Sequence, residues 1–335
     1  MMIKILRVGD PHVTVANLEE SKKLIDFVIQ TAQENEIQCV EFLGDLFHTH
    51  AVIRVEVLNF WKNAFLKMND AKLNTIALVG NHDQPGSKEK EQLMNAMTVF
   101  TDSMPGLTVI DSPCNIDHDG MYIASYMPYM SNLNDFINAS KGLYDQGSTK
   151  LLVCHQTFKG AEYSNGFSTE DGVGPDLIAQ ESIISGHIHM EQQVGKAFYP
   201  GTARWDTMAS ANLTKGIWIF EHEKDGSTIS KEFISTENVC TPIKKYIILE
   251  EDGVVPEINE NDRNYIELHG KSSWITKMKK EFKGRANIKT VPIDRKVVNI
   301  SKEKMQTIID YLNGVFVPAG HVTKKDIDNY LRMIG

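Results

Sequence analysis

The chain has 335 residues, of which 41% are hydrophobic and 24% are charged, and its formal net charge is −9. This length and composition predict a protein with a substantial core, built as one large domain and one smaller domain. They exclude a membrane-spanning protein, because no apolar run approaches the ~18 residues that a spanning helix needs. The first residues lack the pattern of a secretory signal and the four cysteines have no paired spacing, so we expect a cytoplasmic protein.

Strands and helices alternate in the first hundred residues. Apolar runs predict strands at residues 3–8, 39–43 and 77–79. Apolar residues at helical spacing predict helices at residues 18–32, 55–68 and 91–100. This order is typical of a sheet whose parallel strands are joined by crossover helices.

Short strands dominate the stretch that follows. We expect strands at residues 107–110, 121–125, 151–154 and 182–185, a single helix at residues 132–139, and an all-β segment at residues 194–234. The continuous apolar run at residues 217–220 predicts a strand that is buried on both faces. The predicted fold class is therefore α/β, with two sheets packed face to face and helices on the outside.

The character of the chain changes near residues 238–242. We predict a large domain at residues 1–240, a small α/β domain at residues 241–298 and a two-helix segment at residues 299–335. Residues 1–240 contain 18 lysines and arginines and 31 acidic residues, so this part is acidic. The residues from Thr241 onwards contain 17 lysines and arginines and 13 acidic residues, so that part is basic. Residues 271–296 hold nine basic and two acidic residues, which is compatible with a nucleic-acid contact or with an ordinary solvated face.

Hard oxygen and imidazole ligands follow five of the predicted strands. The seven candidates are Asp10, His12, Asp45, Asn81, His155, His187 and His189. The carboxyl ends of parallel strands are where open α/β sheets bind ligands. A set without thiolates suits Mn, Fe or Zn better than Ca or Mg. Seven ligands exceed the needs of one ion, but two ions that share a bridging carboxylate use them all and could catalyse in-line phosphoryl displacement through an acidified bridging water.

The motifs that carry these ligands resemble those of the calcineurin-like metallophosphoesterases. They are Asp10-Pro11-His12, Gly44-Asp45, Gly80-Asn81-His82-Asp83, a single His155, and Gly186-His187-Ile188-His189, in the family's order over residues 3 to about 210. The resemblance implies one ion held by Asp10, His12, Asp45 and His189. It implies a second ion held by Asp45, Asn81, His155 and His187. His82 would then act beside the scissile phosphate without binding metal, and Asp83 would orient its neighbours.

Two further stretches resemble the nuclease subunits of bacterial and phage SbcCD-type complexes for DNA repair and recombination. They are Gly44-Asp45-Leu46-Phe47-His48 and Tyr199-Pro200-Gly201-Thr202-Ala203-Arg204-Trp205-Asp206. The resemblance implies exonuclease and endonuclease activity with manganese as the favoured metal, Mg, Fe or Zn being alternatives. It also implies that His48 orients the DNA phosphate and that the C-terminal helices dock on a coiled-coil ABC-type ATPase, and a homodimer is a further expectation. The residues expected to contact DNA are Arg204, Lys277, Lys279, Lys280, Lys283 and Arg285.

Two alternatives remain open at this point. The chain could be a phosphoesterase for small molecules or phosphoproteins with no DNA partner, or a scaffold with an inactive metal site, although seven intact ligands disfavour the scaffold. No Gly-rich phosphate loop ending in Gly-Lys-Ser/Thr is present, so we expect any ATP to be bound by a partner. The isolated histidines His50, His118, His222, His269 and His321 are interpreted as hydrogen-bonded structural residues.

Overall fold

The computed structural model describes residues 2–50, 52–85, 95–101, 104–118, 123–164 and 166–293. The helices are α1 (Leu18–Glu34), α2 (Val55–Asp70), α3 (Leu133–Gly147) and α4 (Ser272–Glu281). The strands are β1 (Ile3–Val8), β2 (Cys39–Phe42), β3 (Asn74–Leu78), β4 (Leu107–Ile110), β5 (Cys114–Asp117), β6 (Ile123–Met127), β7 (Leu151–His155), β8 (Ser182–Gly186), β9 (Gln192–Val194), β10 (Ala197–Tyr199), β11 (Gly216–His222), β12 (Thr228–Ser235), β13 (Ile243–Leu249), β14 (Arg263–Gly270) and β15 (Asn287–Pro292). None of the helices in these ranges combines the length and the apolarity that a membrane crossing demands.

Two six-stranded sheets form the larger part of the molecule. The first has the order β12-β11-β1-β2-β3-β4, and its strands β1 to β4 run parallel to one another. The second has the order β5-β6-β7-β8-β10-β9, with β6, β7, β8 and β10 parallel. Because parallel neighbours end at the same edge of a sheet, the residues that follow β1, β2 and β3 meet, as do those that follow β7 and β8.

Apolar side chains from both sheets form the central core. Leu78 of the first sheet and Val153 of the second belong to one buried cluster, which also includes Trp218 and Phe220 of β11. Helix α3 covers the outside of the second sheet, where its Phe136 packs among apolar residues of β7 and β8. Both outer and inner faces of these strands are thus buried, as their near-continuous apolar sequences require. The predicted two-sheet α/β sandwich with flanking helices is confirmed.

The helices differ from the prediction in their lengths. Helix α3 begins as expected, since the Asn132 side chain accepts hydrogen bonds from the amides of Asn134 and Asp135. It runs eight residues beyond the predicted end at residue 139, and Leu143 is buried on that extension. In the stretch predicted as a helix at residues 91–100, the described part forms only a short 3-10 helix, Ala96–Val99, and residues 91–94 lie outside the described residues.

The described residues divide into two compact units. The larger comprises Met1–Lys245 and Ile258–Asn264, and the smaller comprises Tyr246–Glu257 and the residues from Tyr265 onwards. In the smaller unit, β14 and β15 run parallel and α4 connects them, which is a βαβ arrangement. Alternate residues of β14 are buried, and α4 buries Ile275 and Met278. The domain limits given above stay predictions, and the two predicted tail helices at residues 302–312 and 324–334 lie outside the described residues.

Candidate metal centre

The structure brings all seven candidate ligands to one place, where the ends of five strands from both sheets converge. Asp10 and His12 follow β1, Asp45 follows β2, Asn81 follows β3, His155 ends β7, and His187 and His189 follow β8. Asp10 and His12 lie in the same half of this site, whereas His187 and His189 lie in different halves. The site therefore depends on the packing of one sheet against the other and on the common direction of the parallel strands.

Three ligands form the first group. Asp10, His12 and His189 each offer one ligand atom, and these atoms lie within 4.8 Å of one another. The Nε2 atoms of His12 and His189 are 3.0 Å apart. The Nε2 atom of His12 is also 3.6 Å from Oδ2 of Asp45, so that this carboxylate borders the group.

The same carboxylate belongs to the second group. Asp45, His155 and His187 offer ligand atoms within 4.8 Å of one another, and Nε2 of His155 is 3.4 Å from Oδ2 of Asp45. The amide oxygen of Asn81 lies 2.8 Å from Nδ1 of His187 and 3.1 Å from Nε2 of His155. Asp45 thus stands between the two groups, where a bridging ligand must be.

The donor atoms fit divalent cations. Oδ1 of Asp10 is buried and has no hydrogen-bond partner, which is uncommon for a buried polar atom and which a bound cation would explain. The separation of 3.0 Å between the two Nε2 atoms of His12 and His189 matches two ligands that each lie about 2.1 Å from one ion at nearly a right angle. We conclude that these residues can hold divalent metal ions.

The backbone of the ligands is strained in a way that aims them at the site. Asp10, His12, Asp45 and His187 have φ angles of 33°, 43°, 51° and 82°. Residues other than glycine rarely adopt such backbone angles, and those that do are concentrated at functional sites. Hydrogen bonds between the strand-end loops hold this conformation: the amide of His12 donates to the carbonyl of Asp45 at 2.9 Å, and that of His187 donates to Oδ2 of Asp10 at 2.8 Å.

A glycine makes room for the shared carboxylate. A Cβ atom on Gly80 would lie 2.2 Å from Oδ1 of Asp45 and 2.4 Å from its amide nitrogen. Any side chain at residue 80 would therefore push the loop after β2 away from the loop after β3. Only glycine allows Asp45 and Asn81 to approach the same centre.

Burial and mutual charge shift the ionisation of the ligands. Burial lowers the pKa of His12 and of His187 to about 3 each, so both imidazoles are neutral at pH 7, as metal ligands must be. Burial raises the pKa of Asp10 to about 6. For His155, burial opposes protonation but the negative charges of Asp45 and Asp10 outweigh it and raise the pKa to about 9. Perturbations of this size in one cluster are typical of functional sites.

The two candidate catalytic histidines lie next to the ligands. Nδ1 of His82 is 2.7 Å from the carbonyl oxygen of His48, and the amide of His82 donates to Oδ1 of Asp45 at 2.8 Å. One ring nitrogen of His82 lies within 4.8 Å of ligand atoms of His12 and Asp45. The His48 ring is exposed, with its centre 5.4 Å from that of His12. Both histidines therefore border the space in front of the ligands.

Asp83 joins two of the ligand-bearing loops. Its Oδ2 accepts a hydrogen bond from the amide of Gly80 at 2.9 Å, and its Oδ1 accepts one from the amide of Phe47 at 3.0 Å. The side chain is buried, and burial followed by the nearby charge of Asp45 raises the pKa of Asp83 to about 7. The contacts of Asp83 are thus those of a residue that orients its neighbours.

Arg204 lies in a different environment from the one that the sequence suggested. It is only 4% exposed, and its guanidinium donates to the carbonyls of Pro11 and His12 at 2.9 and 2.8 Å. It also forms an ion pair with Glu20 at 3.5 Å. A side chain so engaged supports the loop that carries His12, and this placement argues against a direct contact between Arg204 and DNA.

The other five residues expected to contact DNA lie in the smaller unit. They are Lys277, Lys279 and Lys280 on α4, and Lys283 and Arg285 in the turn after it. All five are exposed, while Ile275, Met278 and Phe282 bury the opposite side of this segment. The exposed side of α4 is therefore basic.

Three residues near the ligands had no role in the sequence prediction. Oδ2 of Asp206 is 2.9 Å from Nδ1 of His189 and so orients that ring. The half-buried Tyr129 ring lies nearly parallel to the His187 ring, with a centroid distance of 5.8 Å. The His50 ring stacks on His82. Asp206 lies in one of the stretches that carry the resemblance, but sequence spacing gave no signal for Tyr129 or His50.

Comparisons with known proteins agree on the nature of this domain. A family model described as calcineurin-like phosphoesterase matches residues 3–191. Exonuclease subunit 1 of Enterobacteria phage T4 is 26% identical over 231 residues, which cover 67% of this chain and 66% of that protein. "Putative phosphoesterase 078R" of Invertebrate iridescent virus 3 is 26% identical over 208 residues, covering 60% of this chain and 57% of that protein. "Putative phosphoesterase 244L" of Invertebrate iridescent virus 6 is 30% identical over 205 residues, which cover 59% of this chain and 69% of that protein. The chain thus spans less than two thirds of the length of the first two relatives.

Proposed function

This chain belongs to the calcineurin-like phosphoesterases, and from that membership we propose that it is a metal-dependent DNA nuclease subunit of an SbcCD-like recombination and repair complex. The observation that carries the proposal is the convergence of the two ligand groups on Asp45. The similarity to a phage protein named as an exonuclease subunit favours DNA over small esters as the substrate. Exonuclease and endonuclease activity are both part of the proposal.

The ligand groups would hold two divalent ions, with Asp45 between them. Asp10, His12 and His189 would complete one side, and Asn81, His155 and His187 the other. Such a pair of ions stabilises the attacking and leaving oxygens of an in-line displacement and makes a bound water more acidic. The donor set contains both imidazole and oxygen, which favours manganese, with Fe, Zn or Mg as alternatives.

The chain's own catalytic groups would act on the phosphodiester from the exposed side of the ligands. Nδ1 of His82 donates a hydrogen bond to the His48 carbonyl, so Nε2 is the nitrogen that would serve the substrate. In the doubly protonated, cationic form of the ring, Nε2 would deliver a proton to the leaving oxygen. His48, exposed next to it, would orient the phosphate. Asp83 would keep the loops after β2 and β3 in register through its bonds to the Gly80 and Phe47 amides.

The exposed side of α4 would bind the DNA backbone. Phosphate contacts supply most of the affinity of a sequence-independent nuclease, and lysines provide them. The partner ATPase, its docking on residues 299–335 and a homodimer belong to the same proposal, but their support is the family resemblance alone.

A manganese-dependent assay on linear duplex, hairpin DNA and bis(p-nitrophenyl) phosphate tests the activity. We expect cleavage of both DNA substrates, stimulated when a coiled-coil ABC-type ATPase and ATP are added. His82→Ala should abolish DNA cleavage while metal analysis still finds two ions per chain. Hydrolysis confined to the small ester would refute the nuclease proposal and favour a phosphoesterase for small molecules or phosphoproteins.

The role of α4 has its own test. Replacing Lys279 and Lys280 with glutamine should reduce the slope of log K against log salt by about 2, because each lost phosphate contact removes about one released counterion. Lys62→Gln with Lys141→Gln removes the same charge from the exposed sides of α2 and α3 and should leave the slope unchanged. Equal slopes for both double variants would refute DNA binding by α4.

A further inference from the structure

His50 makes two specific contacts that a merely exposed histidine would not make. Its ring stacks on that of His82, with a centroid distance of 4.1 Å and an angle of 26° between the planes. Its Nδ1 lies 2.8 Å from the carbonyl oxygen of Asn81, so Nδ1 carries a proton and donates it to that oxygen. The residue is otherwise exposed, and Thr49 alone separates it from His48 in the sequence.

These contacts complete an enclosure around the His82 ring. His12 meets that ring edge-on, with a centroid distance of 4.8 Å and an angle of 84°. The His48 carbonyl binds Nδ1 of His82 in the ring plane. His50 supplies the closer of two stacking contacts, since the His48 ring also stacks on the His82 ring at a centroid distance of 5.9 Å and an angle of 24°. The bond from His50 to the Asn81 carbonyl joins it to the loop that carries His82. Without His50, the His82 ring keeps the edge contact with His12, the hydrogen bond to the His48 carbonyl and the longer stacking contact with the His48 ring.

We propose that His50 is a positioning residue for the phosphoryl-transfer reaction, which holds the imidazole of His82 in the orientation that serves the leaving oxygen. The inference rests on the role of His82 in the proposed function. In the step concerned, the oxygen of the attacking water or hydroxide forms a bond to phosphorus as the bond between phosphorus and the leaving oxygen breaks. The leaving oxygen keeps the electron pair and takes the Nε2 proton of the cationic His82 ring, which becomes neutral with its remaining proton on Nδ1. If the His82 ring turns so that Nε2 no longer points at the leaving oxygen, it cannot deliver the proton. Metal binding by the ligands does not depend on this orientation and should be unaffected.

The expected signature is a dependence on the leaving group. An alkoxide leaving group needs the proton, and positioned general acids contribute about 10²–10⁴-fold to such steps. A p-nitrophenolate leaves without protonation. The two substrates are therefore thymidylyl-(3′→5′)-thymidine and the p-nitrophenyl ester of thymidine 5′-monophosphate.

Three substitutions separate the contacts of His50. His50→Ala removes both contacts, His50→Phe keeps the ring without the donor, and His50→Asn keeps a donor near the position of Nδ1 without the ring. We expect His50→Ala and His50→Asn to lower kcat about tenfold or more on the dinucleotide and less than about threefold on the nitrophenyl ester, a fraction of the effect of a lost general acid. His50→Phe should stay near the wild type on both esters. Val52→Ala, which trims an exposed side chain of the same loop, controls for general disturbance and should change neither rate.

The variants are then combined with His82→Ala. If His50 acts through His82, its loss has no further effect once His82 is absent, so the two effects are not additive. Additive losses, equal losses on both esters, or a loss of bound metal in His50→Ala would overturn the inference. If His82→Ala itself shows no leaving-group dependence, the role assigned to His82 in the proposed function fails. If His82→Ala shows that dependence and His50→Ala does not, only the role of His50 fails.

Discussion

Gly186, the last residue of β8, is packed tightly against two of the candidate ligands, and this gives a sharp prediction for Gly186→Ala. A Cβ atom there would lie 2.2 Å from the carbonyl oxygen of Leu43, 2.7 Å from Oδ1 of Asp10 and 2.8 Å from Nδ1 of His155. Backbone and metal ligands surround it, so no flexible side chain can move aside. To reach an ordinary contact, at least one of these groups must move by about 1 Å, and a displacement of that size can reduce an enzyme's rate about 10²-fold.

We therefore expect Gly186→Ala to lower kcat/KM for bis(p-nitrophenyl) phosphate by about 10²-fold or more, with weaker manganese binding, because two candidate metal ligands are displaced. Steady-state kinetics and metal titration of the purified variant measure both effects. Gly142→Ala is the matched control: a Cβ in α3 at residue 142 meets nothing within 4 Å. It should raise the free energy of unfolding by about 0.5–1 kcal/mol and leave the rate unchanged. A folded Gly186→Ala variant with wild-type rate and metal affinity would refute the packing argument.

Three further predictions address the groups around the site and in the core. Asp206→Asn removes the charge that orients His189 at 2.9 Å and should weaken manganese binding about 10–100-fold in a direct metal titration; an unchanged affinity would contradict this role. In Asp83→Asn one of the two carboxylate oxygens becomes an NH2 group, so one of the two backbone amides that donate to this side chain, those of Gly80 and Phe47, would face another donor. The free energy of unfolding, measured in urea, should fall by about 1–3 kcal/mol. Burial and Arg7 lower the pKa of His222 to about 2, so this histidine's contribution to stability is present above pH 6.5 and is lost as the pH falls from there toward 2. Between pH 7.5 and 5.5 the free energy of unfolding should fall by about 1.4 kcal/mol through this histidine. In His222→Gln, which keeps an acceptor for Arg7, urea titrations at the two pH values should not show this part of the decrease.

The location of the ligands could be predicted because each one directly follows an apolar run. Asp45 and His155 illustrate both the strength and the limit of this reasoning. A strand that ends in a polar ligand carries it to the edge of a sheet, and this much is visible in the sequence. That β2 and β7 lie in different sheets, and that their edges meet, is a matter of tertiary packing, which spacing along the chain does not encode. The family motifs supplied that information.

There is a physical reason why the residues that support the ligands could not be predicted from the sequence. Arg204 is expected from the sequence to contact DNA, with packing as the alternative, and its guanidinium is buried against the carbonyls of Pro11 and His12. His50 lies in a polar loop, and only the fold of that loop places it on His82. Contacts of this kind depend on side-chain direction, which changes with each residue of a loop and has no period to detect.

The core holds a similar surprise in the strands themselves. Arg7 and Glu41 interrupt the apolar runs of β1 and β2, and both are fully buried as an ion pair at 2.7 Å. The hydroxyl of Tyr126, from the second sheet, donates to Glu41 at 2.5 Å. Such a pair contributes little net stability relative to apolar residues, but breaking it leaves an uncompensated buried charge. Through the Tyr126 hydroxyl, the pair also links β1 and β2 to the second sheet, which carries His155 and His187.

The strain in the ligand loops has an energetic consequence for ion binding. Four ligands have positive φ, and each such residue raises the energy of the folded chain by about 1–3 kcal/mol. Asp10 and Asp45 add two carboxylates buried close together, which repel each other when both are charged. Cations that bind the folded chain and not the unfolded one stabilise it by about 2.7 kcal/mol at a free concentration 100 times Kd, which is the scale of one or two strained residues. Ion binding would therefore favour the observed conformation of these loops and would offset part of their backbone strain.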